Sequence, residues 1–319
     1  MTHLRRLVVV VVAGLLVNVA VRVPQGILAA SHPYYSYSCP LVSGGHDFNG
    51  NGFDEDGWSW NPLDGVWLTG PSWGVFGDIP APADYNGDGQ SDRAVWRPST
   101  GSWFVQCSSA TNCPSGTIAV TWGNPGDIPV PSDYNADGFA DFGVWRPSTG
   151  YWYILAGPSG GSLLAATPWG QYGDCPVPGR LLNNGAGSLE LNVFRPSAGT
   201  WFYGRSLDGA GGTTLSFGTY GDIPFSIDID GDGDGDPVVW RPSEGNWYGA
   251  GPSFAVSWGV PGDIPSFRSD PGLPANISVW RPTTQRLYSC NNPTMGCTST
   301  GVAGPVSPAN RIPVLGRYR

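Results

Sequence analysis

The stretch GDIPAPADYNGDGQSDRAVWRPSTGSWF, from Gly77 to Phe104, decides the fold because the chain repeats it. It returns as GDIPVPSDYNADGFADFGVWRPSTGYWY, from Gly126 to Tyr153. Looser copies of its Trp-Arg-Pro part recur along the chain. The aromatic residue of that part stands at Trp60, Trp96, Trp145, Phe194, Trp240 and Trp280. A sequence period of about 40 to 50 residues is typical of propellers and other repeat arrays.

Each copy has the pattern of four short strands. Apolar runs such as Ile-Pro-Val-Pro and Ala-Val-Trp are separated by clusters of Gly, Asp, Ser and Thr. Turn signals at intervals of about 8 to 12 residues, without helical periodicity, indicate an all-β chain. The sequence therefore predicts a β-propeller of four-stranded blades. Six Trp-Arg-Pro-type segments predict six blades, and a seventh Ile-Pro segment at residues 312–313 leaves seven, with a partial terminal blade, as the alternative.

The first thirty residues have the pattern of a secretory signal peptide. Arg5 and Arg6 precede an apolar run over 7–17, and two small residues stand at 29–30. This run is shorter than the roughly 20 residues that a spanning helix needs. We therefore expect residues 1–30 to be removed and residues 31–319 to form one secreted propeller domain, outside the cell or at its surface.

The chain is acidic and contains no lysine. Its 25 Asp and Glu residues outnumber 16 basic residues, which gives a formal net charge of −9. Nucleic acid and anionic lipid are therefore poor partners. Because no histidine follows His46, the repeats also lack the usual bases of nucleophilic catalysis. We predict that the protein is not an enzyme; the alternative is a polysaccharide lyase or hydrolase that uses carboxylates such as Glu190 and Glu244.

Six cysteines in an exported chain predict disulfides. Cys107 and Cys113 lie six residues apart, and Cys290 and Cys297 lie seven apart at a similar place in their repeat. Each of these two pairs is predicted to staple a local hairpin. Cys39 and Cys175 remain, and they either pair with each other, stay free or link different molecules.

Three loops share a ladder of oxygen-bearing side chains. Each has Asp at position one, Asn or Asp at three, Asp at five, Gly at six and Asp at nine. Such residues also form ordinary turns, but carboxylates this close repel one another unless a cation is present. Oxygen ligands around a sharp Gly turn suit calcium. The predicted ligands are Asp84, Asn86, Asp88, Asp92, Asp133, Asn135, Asp137, Asp141, Asp228, Asp230, Asp232 and Asp236.

The remaining loops are incomplete copies of the ladder. The loop with Asp47, Asn49, Asn51 and Asp56 has one extra residue and is predicted as a weaker, fourth site. The loop before Glu190 retains only Asn184, Gly187 and Glu190 at ladder positions. In the last loop Arg268 takes the place of the first ligand. We therefore expect three calcium ions, with a fourth at the loop of Asp47.

A second repeating pattern pairs acidic and basic residues. An Asp precedes the first strand of each unit that carries the Arg of Trp-Arg-Pro, and the unit with Asn61 in that place lacks the Asp as well. The hypothesis is an ion pair within each of five units; the alternative is an arginine that binds an anionic ligand. The residues are Asp78 and Arg97, Asp127 and Arg146, Asp174 and Arg195, Asp222 and Arg241, and Asp263 and Arg281.

An aromatic-Gly dipeptide, then a strand, an Asp ladder and a strand ending in Pro resemble the FG-GAP (VCBS-type) repeat of integrin α-like propellers and related secreted bacterial proteins. The dipeptides are Trp73-Gly74, Trp122-Gly123, Trp169-Gly170, Phe217-Gly218 and Trp258-Gly259. The resemblance covers essentially the whole of residues 31–319, as six repeats. It implies calcium in the blade loops, an extracellular location and a role in adhesion or ligand binding, with lectins among the members. The Trp-Arg-Pro ending departs from the Gly-Ala-Pro of that family, and no ligand-contact residue carries over.

The sequence thus predicts a secreted, calcium-binding module for an extracellular glycan or protein ligand. One alternative is a structural subunit of a fibre or surface assembly that associates with itself through Cys39 or Cys175. A carbohydrate-active enzyme is the other. Most aromatic residues recur at fixed repeat positions, as packing requires. Tyr34, Tyr35, Tyr37 and Tyr172 fall outside that pattern and are therefore the candidate contact residues.

Overall fold

The computed structural model describes part of the chain in full and part by its backbone. The residues described are 73–158, 160–182, 189–251, 253–268, 273–284, 286–291, 293–294 and 297, with the backbone of 59–61, 66–67, 295, 300–303 and 312–313. Within these ranges, no helix has the length and apolar character needed to cross a membrane. The predicted signal peptide and the predicted ladder from Asp47 to Asp56 lie outside the described residues.

The described chain is all-β and begins with two short strands, β1 (Ser59–Asn61) and β2 (Val66–Trp67). Five blades follow, and each is a meander of four antiparallel strands in chain order. The first blade has β3 (Ile79–Pro80), β4 (Arg93–Arg97), β5 (Ser102–Gln106) and β6 (Thr117–Thr121). The second has β7 (Ile128–Pro129), β8 (Phe142–Arg146), β9 (Tyr151–Leu155) and β10 (Leu163–Pro168). The third has β11 (Cys175–Pro176), β12 (Leu191–Arg195), β13 (Thr200–Arg205) and β14 (Gly211–Ser216).

The last two blades repeat the same order. The fourth has β15 (Ile223–Ile227), β16 (Asp236–Arg241), β17 (Asn246–Ala250) and β18 (Ser253–Ser257). The fifth has β19 (Ile264–Arg268), β20 (Asn276–Arg281), β21 (Arg286–Cys290) and β22 (Thr300–Ala303), with a 3₁₀ turn at Pro293–Met295 before its last strand. The chain then reaches β23 (Ile312–Pro313). The prediction of a β-propeller with four-stranded blades is confirmed.

The predicted blade number is wrong: the described residues form five four-stranded blades, not six or seven. The segment counted as another unit forms a sheet of three described strands in the order β2-β1-β23. In it Trp60 pairs with Ile312, as Trp96 pairs with Ile79 in the first blade. The Ile-Pro segment near the C-terminus therefore adds its strand to the first sheet of the chain. The motif count was wrong because the motif at Trp60 and the Ile-Pro segment at 312–313, from opposite ends of the described chain, belong to one sheet of three described strands.

Burial falls from the first strand of a blade to the last. In the first blade β3 is buried, every second side chain of β5 is buried, and β6 has none fully buried. Alternation along a strand places one face in the core and the other toward solvent. The first strands therefore lie innermost and the fourth strands lie at the rim.

The apolar core lies between neighbouring blades. Trp96 and Trp103 of the first blade pack in one cluster with Phe142 and Val144 of the second. Comparable clusters join the second blade to the third, the third to the fourth and the fourth to the fifth. Because the second, third and fourth blades each supply one wall of two clusters, these blades do not bury their aromatic residues alone, which is why the repeat must be stacked.

The aromatic-Gly dipeptides belong to this core. The indole N–H groups of Trp96 and Trp103 both donate to the carbonyl of Trp122, at 3.2 and 3.0 Å. The next residue, Gly123, has a φ of 105°, and a Cβ there would lie 3.1 Å from Val144 of the next blade and 3.3 Å from Trp96. Buried indole donors need an acceptor, and only glycine allows this close approach. Packing therefore explains the dipeptide without reference to a ligand.

Candidate metal centres and binding surface

The Asp ladders lie at one end of the propeller, in the loops between the first and second strands. We call this end the loop face; the loops between third and fourth strands share it. Bridges between Ala83 and Asp92, and between Ser132 and Asp141, pair the residue before position one with position nine at the neck of each loop. In the fourth blade the strand pair Ile227 and Asp236 does the same. All three complete ladders thus sit on one face in one register.

The carboxylate at position one organises each loop. Asp84 accepts hydrogen bonds from the amides of Gly87, at 2.7 Å, and Gly89, at 2.8 Å. Bonds of 2.6 to 3.1 Å from amides at positions four to six likewise fold the loop around Asp133 and Asp228. The chain can make this turn because positions four and six have left-handed backbone conformations, such as φ of 71° at Gly87 and 86° at Gly89.

Positions three and five continue the ladder around the same turn. Asn86 Oδ1 accepts the amide of Asp88 at 3.1 Å, and Asp88 Oδ1 accepts the amide of Gln90 at 2.8 Å. These bonds fix each side-chain oxygen relative to the backbone of its own loop. In the fourth blade, carboxylate oxygens of Asp228, Asp230 and Asp236 all lie within 4.8 Å of one another. Such a group of oxygens on a tight loop has the chemistry of a hard-cation site.

The carboxylate at position nine is the most buried member of each ladder. Asp92 accepts the amides of Tyr85 at 2.8 Å and Ser108 at 2.6 Å, and Asp141 accepts those of Tyr134 at 2.9 Å and Gly157 at 3.0 Å. Each therefore ties its ladder to the neighbouring loop between the third and fourth strands.

Burial and nearby carboxylates raise the pKa of these position-nine groups. Desolvation is the main cause, and it raises the pKa of Asp92 to about 6 and those of Asp141 and Asp236 to about 7. The other carboxylates of the same loop raise the pKa further. A buried group with this shift gains from a neighbouring cation, because the cation favours the ionised form.

Neighbouring ladders interlock. The amide of Ala140, at position eight of the second blade, donates to the carbonyl of Asp84 at 2.7 Å. Phe139 covers Gly87, where a Cβ would come within 2.7 Å of its ring. The amide of Ala275 likewise donates to the carbonyl of Asp228, at 2.8 Å. The ladders of the first and fourth blades are therefore held partly by the next blade, which the sequence period alone did not predict.

Two loops on this face lack the ladder, and the structure corrects their register. Gly179 bridges Glu190 as Ala83 bridges Asp92, so Arg180 rather than Leu182 stands at position one of the third blade, and Glu190 matches position nine at the end of a loop that is two residues longer. Residues 183–188, which include the predicted Asn184 and Gly187, lie outside the described residues. In the fifth blade Arg268 pairs with Asn276, as Ile227 pairs with Asp236 in the fourth. Ile227 stands immediately before position one of its ladder, so Arg268 also lies before position one and does not replace the first ligand.

The two glutamates considered for catalysis do not meet. Glu190 occupies position nine of the third blade, where it accepts the amides of Leu181 and Leu182 and where burial raises its pKa. Glu244 lies in the turn between the second and third strands of the fourth blade, at the opposite end of the propeller, and accepts the hydroxyl of Tyr248. A carboxylate pair for glycoside chemistry needs its members about 5 to 10 Å apart across one bond.

Both predicted hairpin staples are present. The Cys107–Cys113 disulfide closes the loop that contributes Ser108 and Ser109 beside Asp88 and Asp92 of the first ladder. Cys290 and Cys297 form the second disulfide. Cys175 is buried and also disulfide-bonded, so its thiol is not free to link molecules; Cys39 lies outside the described residues. Disulfides are typical of an oxidising compartment.

The opposite end of the propeller, the turn face, carries the predicted ion pairs. All five are present as two-pronged contacts of 2.7 to 2.9 Å between a buried carboxylate and a guanidinium. The arginine also lies over an aromatic ring of the third strand, as Arg97 does over Phe104 at 4.4 Å. The pairs are Asp78 with Arg97, Asp127 with Arg146, Asp174 with Arg195, Asp222 with Arg241, and Asp263 with Arg281.

Exposed aromatic side chains also lie on the turn face. Tyr172, which the sequence singled out, is 83% exposed. It does not fall outside the repeat, however, because Phe76 and Tyr220 stand at the same place, two residues before the Asp of the ion pair, and are 66% and 80% exposed. Alignment on the Gly-Asp dipeptide would have found them. Tyr34, Tyr35 and Tyr37 lie outside the described residues.

Comparisons with known proteins give no family and only distant structural likenesses. No family model matches the chain, and no curated protein matches it. Virginiamycin B lyase from Staphylococcus aureus is 10% identical with a TM-score of 0.46, covering 71% of this chain and 72% of that one. Apo AztD from Citrobacter koseri is 13% identical with a TM-score of 0.46 and 77% coverage of both chains. Likeness at this level supports no inference about ligand or activity, and the FG-GAP resemblance stays a prediction.

Proposed function

We propose that this protein is a secreted β-propeller that calcium stabilises and that acts as a binding or adhesion module. The observation that carries the calcium proposal is the set of three ladders in one register, each with a position-nine carboxylate of raised pKa that is buried in the first two ladders and half-buried at Asp236. Removing these ionised groups from water without a cation is unfavourable. The donor set, made of carboxylate and amide oxygens, fits calcium better than a soft metal.

In each loop the ion would be held by the side chains at positions one, three, five and nine. Calcium would supply the positive charge that lets these carboxylates ionise together. The chain itself supplies the frame: amides of the loop orient position one, and in the first and second blades the loop between the third and fourth strands orients position nine. Because these loops join blades as well as strands, bound calcium would stiffen the propeller.

Thermal unfolding tests the calcium proposal. Ligands that bind only the folded state raise its stability in proportion to the logarithm of their concentration. We expect the melting temperature of the chelator-treated protein to rise on adding millimolar calcium and to rise much less with magnesium. A melting temperature that chelator and calcium leave unmoved contradicts the proposal.

The role as a binding module is supported by a scaffold with two differently built faces, an acidic loop face and a turn face with exposed aromatic residues. A glycan array with calcium and with chelator tests it, and reproducible calcium-dependent binding is the expected result. If the protein binds no glycan on the array and instead assembles as its concentration rises, the role as a structural subunit of a fibre is favoured. Product release from a panel of polysaccharides would favour the carbohydrate-active enzyme.

A further inference from the structure

The turn that enters the first strand of every blade has one shape. The amide of Asp78 donates to the carbonyl of Val75 at 3.1 Å, and Gly77 between them has a φ of 90°. The Asp78 carboxylate also accepts the amide of Val75, at 3.0 Å, while it holds Arg97. Four more turns repeat these bonds, with glycine φ values of 88° to 94°. The five turns are 75–78, 124–127, 171–174, 219–222 and 260–263.

Two different kinds of residue occupy the second position of this turn. A turn with glycine in the left-handed region at its third position favours proline at its second, because proline presets φ. The chain uses proline there twice, at Pro125 and Pro261. The other three turns have Phe76, Tyr172 and Tyr220. The proline solution is therefore compatible with this fold, and the aromatic residues are not required by the turn.

Packing against the described residues does not account for Tyr172 and Tyr220 either. Tyr172 and Tyr220 leave four-fifths of their surface in water, and Phe76 leaves two-thirds. A Cβ added to the neighbouring Gly77, Gly173 or Gly221 would meet nothing within 4 Å, so the turns project into open space. Single exposed apolar residues are ordinary. Three at one register of one face, where proline would stabilise more, indicate a contact role.

The charge on the turn face limits what these residues contact. The five arginines at the ends of the second strands already bind the five buried aspartates. The negative charge of Glu244 and the positive charge of exposed Arg286 cancel in the net charge of this face. The described side chains of this face therefore carry no net charge, whereas the ladders make the loop face acidic. A polyanion would find no free row of cations here, and a polycation would bind the other face.

We infer that Phe76, Tyr172 and Tyr220 are contact points for an uncharged polysaccharide, which would lie across the turn face. Each tyrosine has an exposed polar neighbour in the same turn, Gln171 beside Tyr172 and Thr219 beside Tyr220. A flat aromatic ring stacks on the C–H face of a sugar, and the amide or hydroxyl beside it bonds to the sugar's hydroxyl groups. This inference rests on the proposed role as a binding module and names its surface and ligand class.

The repetition of the contacts favours a polysaccharide over a folded protein. A protein interface is built around one contiguous buried centre. Here chemically similar contact points stand in separate turns of three blades, with glycine and hydroxyl residues between them. Equivalent points suit a ligand that is itself a repeat, because each weak contact raises the effective concentration for the next.

The test uses the calcium-loaded protein and a variant that the fold already tolerates. Phe76→Pro, Tyr172→Pro and Tyr220→Pro are combined, since the chain has proline in two identical turns. Retention is measured by affinity electrophoresis in gels that contain a β-1,3-glucan, an α-glucan, a galactomannan or an arabinoxylan. Polygalacturonate serves as the charged comparison. Leu273→Ala, at an exposed apolar residue of the loop face, is the matched control.

We expect at least one neutral polysaccharide to retain the protein and the control, and the triple variant to lose at least tenfold in affinity without a fall in melting temperature. The inference is wrong if no neutral polysaccharide retains the protein, or if the triple variant is retained as strongly as the wild type. It is also wrong if polygalacturonate alone retains the protein. Self-association that the triple variant abolishes, seen by sedimentation, would assign the surface to a second copy instead. If calcium does not change the melting temperature, but the neutral polysaccharide still retains the protein and not the triple variant, the calcium proposal is wrong and this inference holds.

Discussion

At the residue scale, the Asp–Arg pairs show how far a repeat can be interpreted without a structure. The joint presence and absence of Asp and Arg predicted the contact between Asp127 and Arg146, and the structure confirms it at 2.8 Å. The ring of Tyr153 beneath the guanidinium was not predicted, because its place depends on strand pairing. The hydrogen bond that the amide of Asn124 donates to the Asp127 carboxylate was not predicted for the same reason.

Asp127→Asn is expected to destabilise the protein by about 3 kcal/mol, since it leaves a buried acceptor network without its charge and Arg146 without its partner. Chemical denaturation of the calcium-loaded protein measures this. Asp208→Asn is the control, at an exposed carboxylate of the loop face, and should change stability by less than about 0.5 kcal/mol. Equal stability of Asp127→Asn and the wild type would mean that the pairs do not hold the blades together.

Ala136→Gly is expected to stabilise the protein by about 0.5 to 1 kcal/mol. Ala136 stands at position four of its ladder with a φ of 59°, where the first and fourth blades have glycine. An L-residue pays about 1 kcal/mol for the left-handed region, and glycine does not. Ala198→Gly, at an exposed alanine outside that region, should have the opposite sign. The expectation is wrong if both substitutions lower the denaturation midpoint equally.

At the element scale, the loops on neighbouring blades act as one structure. The ladder of each loop was visible in the sequence because its residues are local. The contact between Phe139 and Gly87, and the bond from Ala140 to Asp84, join residues that are about one repeat apart. No local pattern marks such contacts. The blade number was misjudged for a similar reason, because β1 and β23 come from opposite ends of the described chain.

Gly87→Ala should be markedly more damaging than Gly89→Ala. Both glycines are left-handed, so both substitutions destabilise the backbone by about 1 kcal/mol. Only at residue 87 would the new Cβ also collide with Phe139 of the next blade, whereas nothing lies within 4 Å at residue 89. Calcium titration and thermal unfolding of both variants check this. Similar losses in the two variants would show that the ladders do not interlock in solution.

At the scale of the whole molecule, the two faces divide the chemistry. The loop face gathers the acidic ladders, and the turn face is neutral and bears the exposed aromatic residues. The sequence predicted the propeller, the strand order within blades and the ladders, because the local patterns that indicate them recur in several repeats. It did not show which residues share a face, since that depends on how the strands run antiparallel within each blade.

The calcium effect on stability should grow as pH rises from 5 to 8. Burial raises the pKa of Asp92, Asp141 and Asp236 to between about 6 and about 7, above the value in an unfolded chain. Without calcium these groups favour folding while protonated, and that contribution is lost as pH rises through their folded pKa. Calcium offsets the loss by pairing with the ionised forms.

Melting temperatures with calcium and with chelator at pH 5 and pH 8 measure this effect. The chelated protein should melt lower at pH 8 than at pH 5, and the gain on adding calcium should be larger at pH 8. A variant with Asn at all three positions should show a flatter profile. An equal calcium gain at both pH values would mean that these carboxylates do not face the ion.

Calcium stoichiometry is the most direct test of the central claim, that the three ladders are calcium sites. Isothermal titration calorimetry of the chelator-treated protein should give three ions per chain, or four if the loop from Asp47 to Asp56 also binds. Asp228→Asn combined with Asp236→Asn should remove one ion and leave the sites at Asp84 and Asp133. Absence of calcium binding at millimolar concentrations, or an unchanged stoichiometry in that variant, would contradict the account.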